Sequence, residues 1–224
     1  VVVYHHLGLG DIIVCNGLVN YISEKFDKVY LVVHDRYKDQ ADYLYSLNQR
    51  VEIYSLKEES LSTIKNYAAQ RNLPILKIGF EFRKKGPFNI DFYKQLGLDY
   101  DISFSKFFVP KDNEKSLMLK KHLFEHYGVK KDFQLVHSQS DNVPYALNIS
   151  KDLDAIYVEK ESDIFNNIFL YIDMIKTAKE IHCVDSSFIH LVERIDTDAT
   201  LYYHTNRNSI TYLKKDWENI DYGH

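Results

Sequence analysis

Short apolar runs alternate along the first half of the chain with segments whose apolar residues recur at helical spacing. The run from Val1 to Val3 is β-branched and therefore predicts a strand. The segment from Ile12 onward has the apolar spacing of an amphipathic helix. Strand–helix units that repeat at this length predict a parallel sheet with right-handed crossovers and helices on both faces. The predicted strands cover residues 1–3, 28–34, 50–54 and 75–79, and the predicted helices cover residues 12–26, 37–47 and 58–70.

The second half of the chain repeats this alternation after a polar stretch that contains a proline, residues 110–114, which predicts a linker. Just before it we expect a helix that ends at Gly97 and an extended segment over residues 102–109. We therefore predict an α/β fold of two small Rossmann-like domains that face a cleft, residues 1–109 and 110–224. The later strands are predicted at residues 133–140, 155–160, 181–184 and a final one at 199–204, and the later helices at 115–127, 164–180 and 186–195.

A glycine-bearing turn follows the first predicted strand, where parallel α/β sheets bind their ligands. Gly8 and Gly10 are spaced like the start of a dinucleotide fingerprint, but the third glycine would fall at position 13, which is Ile13. Asp11 instead follows Gly10 directly, at the expected start of the helix. Asp11 therefore has two interpretations: an N-cap of that helix, or a carboxylate that accepts a proton from a substrate hydroxyl.

A second stretch of candidate chemistry lies late in the chain, where a predicted strand runs into Asp185, Ser186 and Ser187 and a helix begins at once. Hydroxyl groups at a helix start either cap the helix or bind a diphosphate together with the free amide groups. His190 would lie about one helical turn further on, within reach of a ligand. For each of these residues taken alone, capping or core packing is the default interpretation.

Other candidate site residues lie at strand ends or in basic loops. His137 and Ser138 end the first strand of the second half, which places them at the cleft edge as well. Positive charge for a phosphate could come from the run Arg83–Lys85 or from Arg207 in the loop after the predicted final strand. A charge run of this kind more often faces solvent.

Composition narrows the class of protein. Of the 224 residues, 45% are hydrophobic and 27% charged, as in ordinary globular domains. A net charge of -4 argues against general attraction to nucleic acid, and no apolar run is long enough for a membrane span. Cys15 and Cys183 lie in apolar periodic segments and are expected to be buried thiols of a reducing compartment. We expect a cytoplasmic location, with peripheral attachment to a membrane left open.

Two motifs together resemble those of the heptosyltransferase-like glycosyltransferases of family 9, which have the two-domain GT-B fold. The sequence Gly-Leu-Gly-Asp at residues 8–11 matches the family pattern GxGD. Residues 185–191, Asp-Ser-Ser-Phe-Ile-His-Leu, resemble the family pattern Asp-(Ser/Thr)-Gly-x-x-His-Leu, with Ser187 in place of the glycine. The resemblance implies transfer of a hexosyl- or heptosyl-type sugar from a nucleotide-diphosphate donor to a glycan, lipid-linked or protein acceptor. It further implies inversion at the sugar, without a metal ion or other cofactor.

Carried over to this sequence, the resemblance implies a role for each matching residue. Asp11 would be the general base, and Gly8 and Gly10 would allow close approach in the cleft of the acceptor-side domain, residues 1–109. The donor-side domain, residues 110–224, would bind the diphosphate. Its implied donor-binding residues are Asp185, Ser186, Ser187 and His190, and the strand-end and loop positions His137, Ser138 and Arg207 are added to them. The chain lacks the lysine that larger relatives usually carry after the strand that ends at His137.

Three alternatives remain open at this point. A metal-dependent glycosyltransferase would use an Asp-x-Asp motif, for which the chain offers the pairs Asp99/Asp101, Asp152/Asp154 and Asp196/Asp198. A nucleotide- or glycan-binding module could keep the fold without transfer. A sugar-nucleotide epimerase shares the two-domain architecture, and fold alone does not separate these functions.

Overall fold

A computed structural model describes residues 1–80, 87–140, 143–205 and 211–222. The chain divides into two compact units, Val1–Pro110 with Ile210–Tyr212, and Lys111–Ser209 with Leu213–His224. Each unit contains a parallel β-sheet flanked by helices, so the predicted α/β fold class is confirmed. The acceptor and donor roles assigned to the two halves remain predictions. No helix among the described residues is both long enough and apolar enough to cross a membrane.

The first unit is built on a four-stranded sheet of order β3-β2-β1-β4. Since β1 to β3 step in one direction and β4 returns on the other side of β1, right-handed crossovers place α1 to α3 on one face and α4 on the other. Val2 and Tyr4 of β1 accordingly pack with Ile64 and Ala68 of α4. The elements are β1 (Val2–Tyr4), α1 (Leu9–Val14), α2 (Asn16–Ser23), β2 (Val29–His34), α3 (Lys38–Tyr45), β3 (Val51–Leu56), α4 (Leu61–Gln70), β4 (Ile75–Lys77), α5 (Phe88–Lys94) and α6 (Ile102–Ser105).

The single helix predicted over residues 12–26 is wrong, because the structure has two helices with a joint at Cys15. In a continuous helix the amide of Leu18 would donate to the carbonyl of Val14. Instead the hydroxyl of Tyr93 lies between them, donating to Val14 O at 2.7 Å and accepting from Leu18 N at 3.2 Å. A side chain inserted into the hydrogen-bond ladder breaks the helix at that point.

The second unit is built on a five-stranded parallel sheet of order β11-β10-β9-β5-β8. The predicted final strand at residues 199–204 corresponds to β10, but a further edge strand, β11, pairs with it in parallel. The sequence of β11 lacks an alternating apolar pattern because an edge strand is largely exposed. The elements are α7 (Asn113–Tyr127), β5 (Phe133–His137), β6 (Gln139–Ser140), β7 (Val143–Pro144), β8 (Asp154–Tyr157), α8 (Ile172–Thr177), β9 (Glu180–Val184), α9 (Ser187–Val192), β10 (Thr200–Thr205) and β11 (Trp217–Asp221).

The connections that lead from β8 to β9, β10 and β11 all step across the sheet in one direction, whereas the connection from β5 to β8 steps in the other direction. The β5–β8 connection therefore covers the opposite face of this sheet. Its described residues form the antiparallel β6–β7 hairpin and an irregular segment. The side-chain amide of Gln134 in β5 holds that segment by donating to Ser150 O at 2.8 Å and Leu153 O at 3.0 Å. On the opposite face, α7 and α8 bury apolar side chains.

Two more sequence predictions fail for local reasons. The segment expected to be extended, residues 102–109, begins with the short helix α6 because the Asp99 carboxylate accepts from Asp101 N at 2.8 Å and starts a turn. The helix predicted over residues 164–180 is shorter, since only a 3-10 turn and α8 are helical. The carboxylate of Asp163 accepts from Phe165 N and Asn167 N, and these two hydrogen bonds hold residues 163–167 in a turn before the 3-10 turn begins.

Candidate functional site

Each sheet changes crossover direction at one place, and nearly all predicted site residues lie there. In the first sheet the change falls between β1 and β4, and the segment that leaves β1 carries Gly8 to Asp11. In the second sheet the change falls between β5 and β9. In open α/β sheets, ligands bind outside the carboxyl ends of the strands at such a switch point. We call residues 4–11 with Glu59 the first edge, and residues 137–138 with 185–190 the second edge.

The first edge starts a helix earlier than the sequence predicts. The N-cap of α1 is Gly8, whose carbonyl accepts from Ile12 N at 3.1 Å, so the interpretation of Asp11 as N-cap is wrong. Gly10 is the second residue of α1, and the predicted glycine turn therefore ends at Gly8. Asp11 lies in the first turn of the helix, where the helix dipole favours a negative charge.

Gly8 leaves room for the carboxylate of Asp11. A Cβ atom at position 8 would lie 2.6 Å from Oδ2 of Asp11, so any other residue there would displace the carboxylate. Asp11 thus folds back toward the start of its own helix. This places an acid at the carboxyl end of β1, in the position that the sequence motif suggested.

Two further groups belong to the first edge, and sequence reasoning missed both. The buried His5 ring donates from Nδ1 to the carbonyl of His6, and burial lowers its pKa to about 4. The hydroxyl of Tyr4 donates to the carboxylate of Glu59, which follows β3. Burial and this carboxylate together raise the pKa of Tyr4. Glu59 is an exposed second carboxylate on this side of the sheet, and no motif surrounds it.

The second edge brings together residues from two predicted stretches. Strands β5 and β9 are neighbours, with His137 opposite Cys183, so His137 and Ser138 lie beside Asp185 to Ser187. Ser186 is the N-cap of α9, yet its side chain makes no capping hydrogen bond. Its Oγ is buried and has no hydrogen-bond partner within the described part of the chain. The hydroxyl is therefore not used as a cap.

The histidines of the second edge are neutral. His190, the fourth residue of α9, is only 3% exposed, and burial with the nearby Arg194 guanidinium lowers its pKa to about 3. Burial lowers the pKa of His137 to about 4. His137 bonds from Nδ1 to the carbonyl of Val158 at 2.9 Å, so Nδ1 carries the proton and Nε2 carries the lone pair. Its ring also packs edge-on against Phe188, with ring centroids 5.4 Å apart.

Glu159 is a candidate that sequence reasoning missed. It follows β8, the neighbour of β5, and lies 22 residues after His137. In dinucleotide-binding domains an acid at this place, about 20 residues after the first strand's turn, hydrogen-bonds the ribose. Oε1 of Glu159 accepts from Tyr127 OH at 2.9 Å, and burial is the main cause that raises the pKa of Tyr127 to about 12. Its position at the end of a predicted strand and its spacing from His137 could have identified Glu159 in the sequence.

The remaining predicted positions either lie outside the described residues or lie away from both edges. Arg207 and the run Arg83–Lys85 lie outside the described residues. Asp152/Asp154 and Asp196/Asp198 lie at or before the amino ends of β8 and β10, at the opposite end of the sheet from the second edge. Asp99 uses its carboxylate to accept from Asp101 N. Within residues 1–80, 87–140, 143–205 and 211–222, no group of three or more His, Cys, Asp or Glu residues is placed to hold a metal ion.

Comparison with known proteins gives a structural likeness but no match in sequence. No protein-family model matches the chain, and no curated protein sequence matches it. The fold is similar to the crystal structure of a glycosyl transferase family 9 protein from Veillonella parvula DSM 2008, with a TM-score of 0.61 and 11% identity. The match covers 98% of this chain and 86% of that chain. At this identity the likeness shows that the two proteins share a fold.

Proposed function

We propose that the protein is a glycosyltransferase that moves a sugar from a nucleotide-diphosphate donor to an acceptor hydroxyl, with inversion and without a metal ion. The observation that carries the proposal is the buried, unpartnered hydroxyl of Ser186 at the switch point of the second sheet. The carboxylate of Asp11 at the end of β1 and the fold shared with a family 9 protein support it. The two sequence motifs that resemble this family contain both residues.

The second edge suits the donor. The hydroxyls of Ser186 and Ser187 can donate to phosphate oxygens, and donors of this kind stabilise the negative charge that builds on a departing diphosphate. The second carboxylate oxygen of Glu159 can accept from a ribose hydroxyl. Nε2 of His137 can accept a hydrogen bond from the ligand because the other ring nitrogen carries the proton.

The first edge suits the acceptor. Asp11 takes the proton from the acceptor hydroxyl as that oxygen forms its bond to the anomeric carbon. The bond from the anomeric carbon to the donor phosphate breaks, and the nucleoside diphosphate leaves with the electron pair. Attack opposite the leaving group through an oxocarbenium-like state inverts the anomeric carbon. The acceptor is a glycan, a lipid-linked sugar or a protein hydroxyl.

A thermal-shift panel of UDP, GDP, ADP, CDP and dTDP, each with and without Mg²⁺ or Mn²⁺, tests this proposal. We expect one nucleotide to stabilise the protein without metal, by about 2.7 kcal/mol at a hundredfold excess over its dissociation constant. Glu159→Gln should weaken that effect, whereas the control Ser116→Ala on α7 should not. No stabilisation by any nucleotide would contradict the proposal, and stabilisation only with metal would favour the Asp-x-Asp alternative. Nucleotide binding without release from any sugar donor would favour a binding module.

A further inference from the structure

A buried carboxylate closes the end of α9 that is remote from Ser186. Glu193 follows the last residue of α9 and is only 4% exposed. Its Oε2 accepts from Lys214 N at 2.8 Å, and its Oε1 accepts from Lys215 N at 3.2 Å and from Trp217 Nε1 at 2.6 Å. Three donors therefore satisfy a charge that would be costly to bury alone. All four residues belong to the second unit.

Lys215 makes the reciprocal contact, from the segment 214–217 back to the end of α9. Its ammonium donates to Val192 O at 2.8 Å and also to Ile195 O. These are carbonyls at the end of α9, where a helix lacks internal partners and favours a cation. Burial lowers the pKa of Lys215, and the nearby Glu193 carboxylate opposes that shift. Thus Glu193 holds the segment 214–217, and Lys215 of that segment holds the helix end. We call Glu193 and Lys215 the α9 clamp.

The α9 clamp can set the position of Ser186 because α9 is short. A helix of six residues is about 9 Å long and is not stable by itself. Apolar side chains pack it against the core, but such contacts are not directional. Hydrogen bonds to a buried carboxylate and ammonium fix both distance and angle. Ser186 and Ser187 lie at the other end of this short helix, about two helical turns from the clamp.

We propose that Glu193 and Lys215 are positioning residues of the second edge, which hold α9 so that the Ser186 hydroxyl can meet the donor. The identity of the ligand rests on the proposed function, whereas the claim that the clamp positions α9 does not. Trp217 is the single tryptophan of the chain and contacts Glu193 directly. Its fluorescence is therefore a reporter of the clamp.

The test compares Glu193→Gln with the wild type in the full chain. The variant keeps the side-chain shape but turns one acceptor oxygen into an NH2 group that faces N–H donors. We expect amide hydrogen exchange at residues 190–192, whose N–H groups bond within α9, to rise by about tenfold or more, the rise expected when a buried hydrogen-bonded contact is lost. Trp217 emission should shift to longer wavelength. The nucleotide that stabilises the wild type should bind about 5- to 20-fold more weakly, by the same reasoning. Glu218→Gln, an exposed acid on β11, should change none of these.

Lys215→Met is the second variant, and it decides the question if Glu193→Gln does not fold. It keeps the side-chain stem and loses the charge, and Lys176→Met on the exposed side of α8 is its control. Unchanged exchange at residues 190–192 in the folded variants overturns the inference, whether or not a nucleotide binds. Faster exchange with unchanged nucleotide affinity also overturns it, because the clamp would then be structural only. A wild type that binds no nucleotide overturns the proposed function, and the exchange result still decides whether the clamp controls α9.

Discussion

The two edges share one construction but differ in their chemistry. Both follow a parallel strand at a switch point, and both lead into a six-residue helix, α1 or α9, whose N-cap is a small residue, Gly8 or Ser186. The first edge carries carboxylates, Asp11 and Glu59. The second edge carries one carboxylate, Asp185, but also hydroxyls and a neutral imidazole, with Ser186 Oγ buried and unpartnered within the described residues.

This difference indicates a division of work. A carboxylate repels a diphosphate but can take a proton from a hydroxyl. Hydroxyl and amide donors suit phosphate oxygens. Under the proposed function, the same strand–turn–helix geometry serves an acceptor in one unit and a donor in the other.

The largest expected effect is that acid unfolds the two units at different pH values. Burial lowers the pKa of His137, His182 and His204 to about 4 and that of His190 to about 3, all in the second unit. One such histidine, His5, lies in the described part of the first unit, and burial lowers its pKa to about 4. We therefore expect the second unit to unfold at a higher pH than the first.

The sign follows from proton linkage. A histidine in the unfolded chain titrates near pH 6.5, so below that pH the unfolded chain binds more protons than the folded chain. Stability is full above pH 6.5 and falls as the pH drops toward the folded pKa of about 4. The slope is about 1.4 kcal/mol per pH unit for each histidine. Hydrogen exchange by mass spectrometry at a series of pH values measures each unit, and equal loss of protection in both would contradict the expectation.

Asp11→Asn tests the first edge. The amide cannot take a proton, so transfer should fall by about 10²- to 10⁴-fold, while nucleotide affinity stays within about twofold. Release of nucleoside diphosphate from the donor that the wild type cleaves, with an array of glycans as acceptors, measures the rate. Asp39→Asn is the matched control, because Asp39 lies in the first turn of α3 in the same unit. A variant that loses nucleotide binding along with transfer would contradict the assignment of the acceptor to the first edge and the donor to the second edge.

Tyr93→Phe tests the helix joint behind the first edge. Without the hydroxyl, Val14 O and Leu18 N lose their shared partner, and the free energy of unfolding should fall by about 1–3 kcal/mol. Denaturant titration measures it, with Tyr21→Phe on α2 as the control. Nucleotide affinity should not change, since Tyr93 belongs to the first unit. Full stability in the variant would show that the joint does not depend on this hydroxyl.

Ser186→Ala gives the smallest expected effect. Loss of one hydrogen bond to a phosphate oxygen should weaken nucleotide binding by about 1 kcal/mol, or 5- to 10-fold. Titration calorimetry of the nucleotide selected by the panel measures the change. Because the hydroxyl does not cap α9, the variant should keep the stability of the wild type. Lower stability with unchanged affinity would mean that Ser186 is a structural residue.

The sequence predicted what depends on local pattern and failed where distant residues intervene. Apolar runs in the sequence located the strands β1, β5 and β9, and Gly8, Ser186 and Ser187 pointed to both edges. The break between α1 and α2 was not predictable because Tyr93, which causes it, is distant in sequence. The N-cap moved from Asp11 to Gly8 because the chain turns into the helix before the apolar periodicity begins.

Candidate site residues show the same limit. Ser186 and His137 could be identified as candidates from their places at strand ends. The hydrogen bonding of the Ser186 hydroxyl and the tautomer of His137 could not be predicted. Only the structure shows that the Ser186 hydroxyl makes no cap and that the Val158 carbonyl fixes the tautomer of His137. Glu159 stands alone in the sequence, and its relation to the second edge depends on β8 being the neighbour of β5.

A crystal structure of the full chain with the stabilising nucleoside diphosphate bound would test the central claim most directly. The account predicts phosphate oxygens within hydrogen-bond distance of Ser186 Oγ and the ribose beside Glu159. A nucleotide bound at residues 5–11 instead, or bound away from both edges, would contradict it.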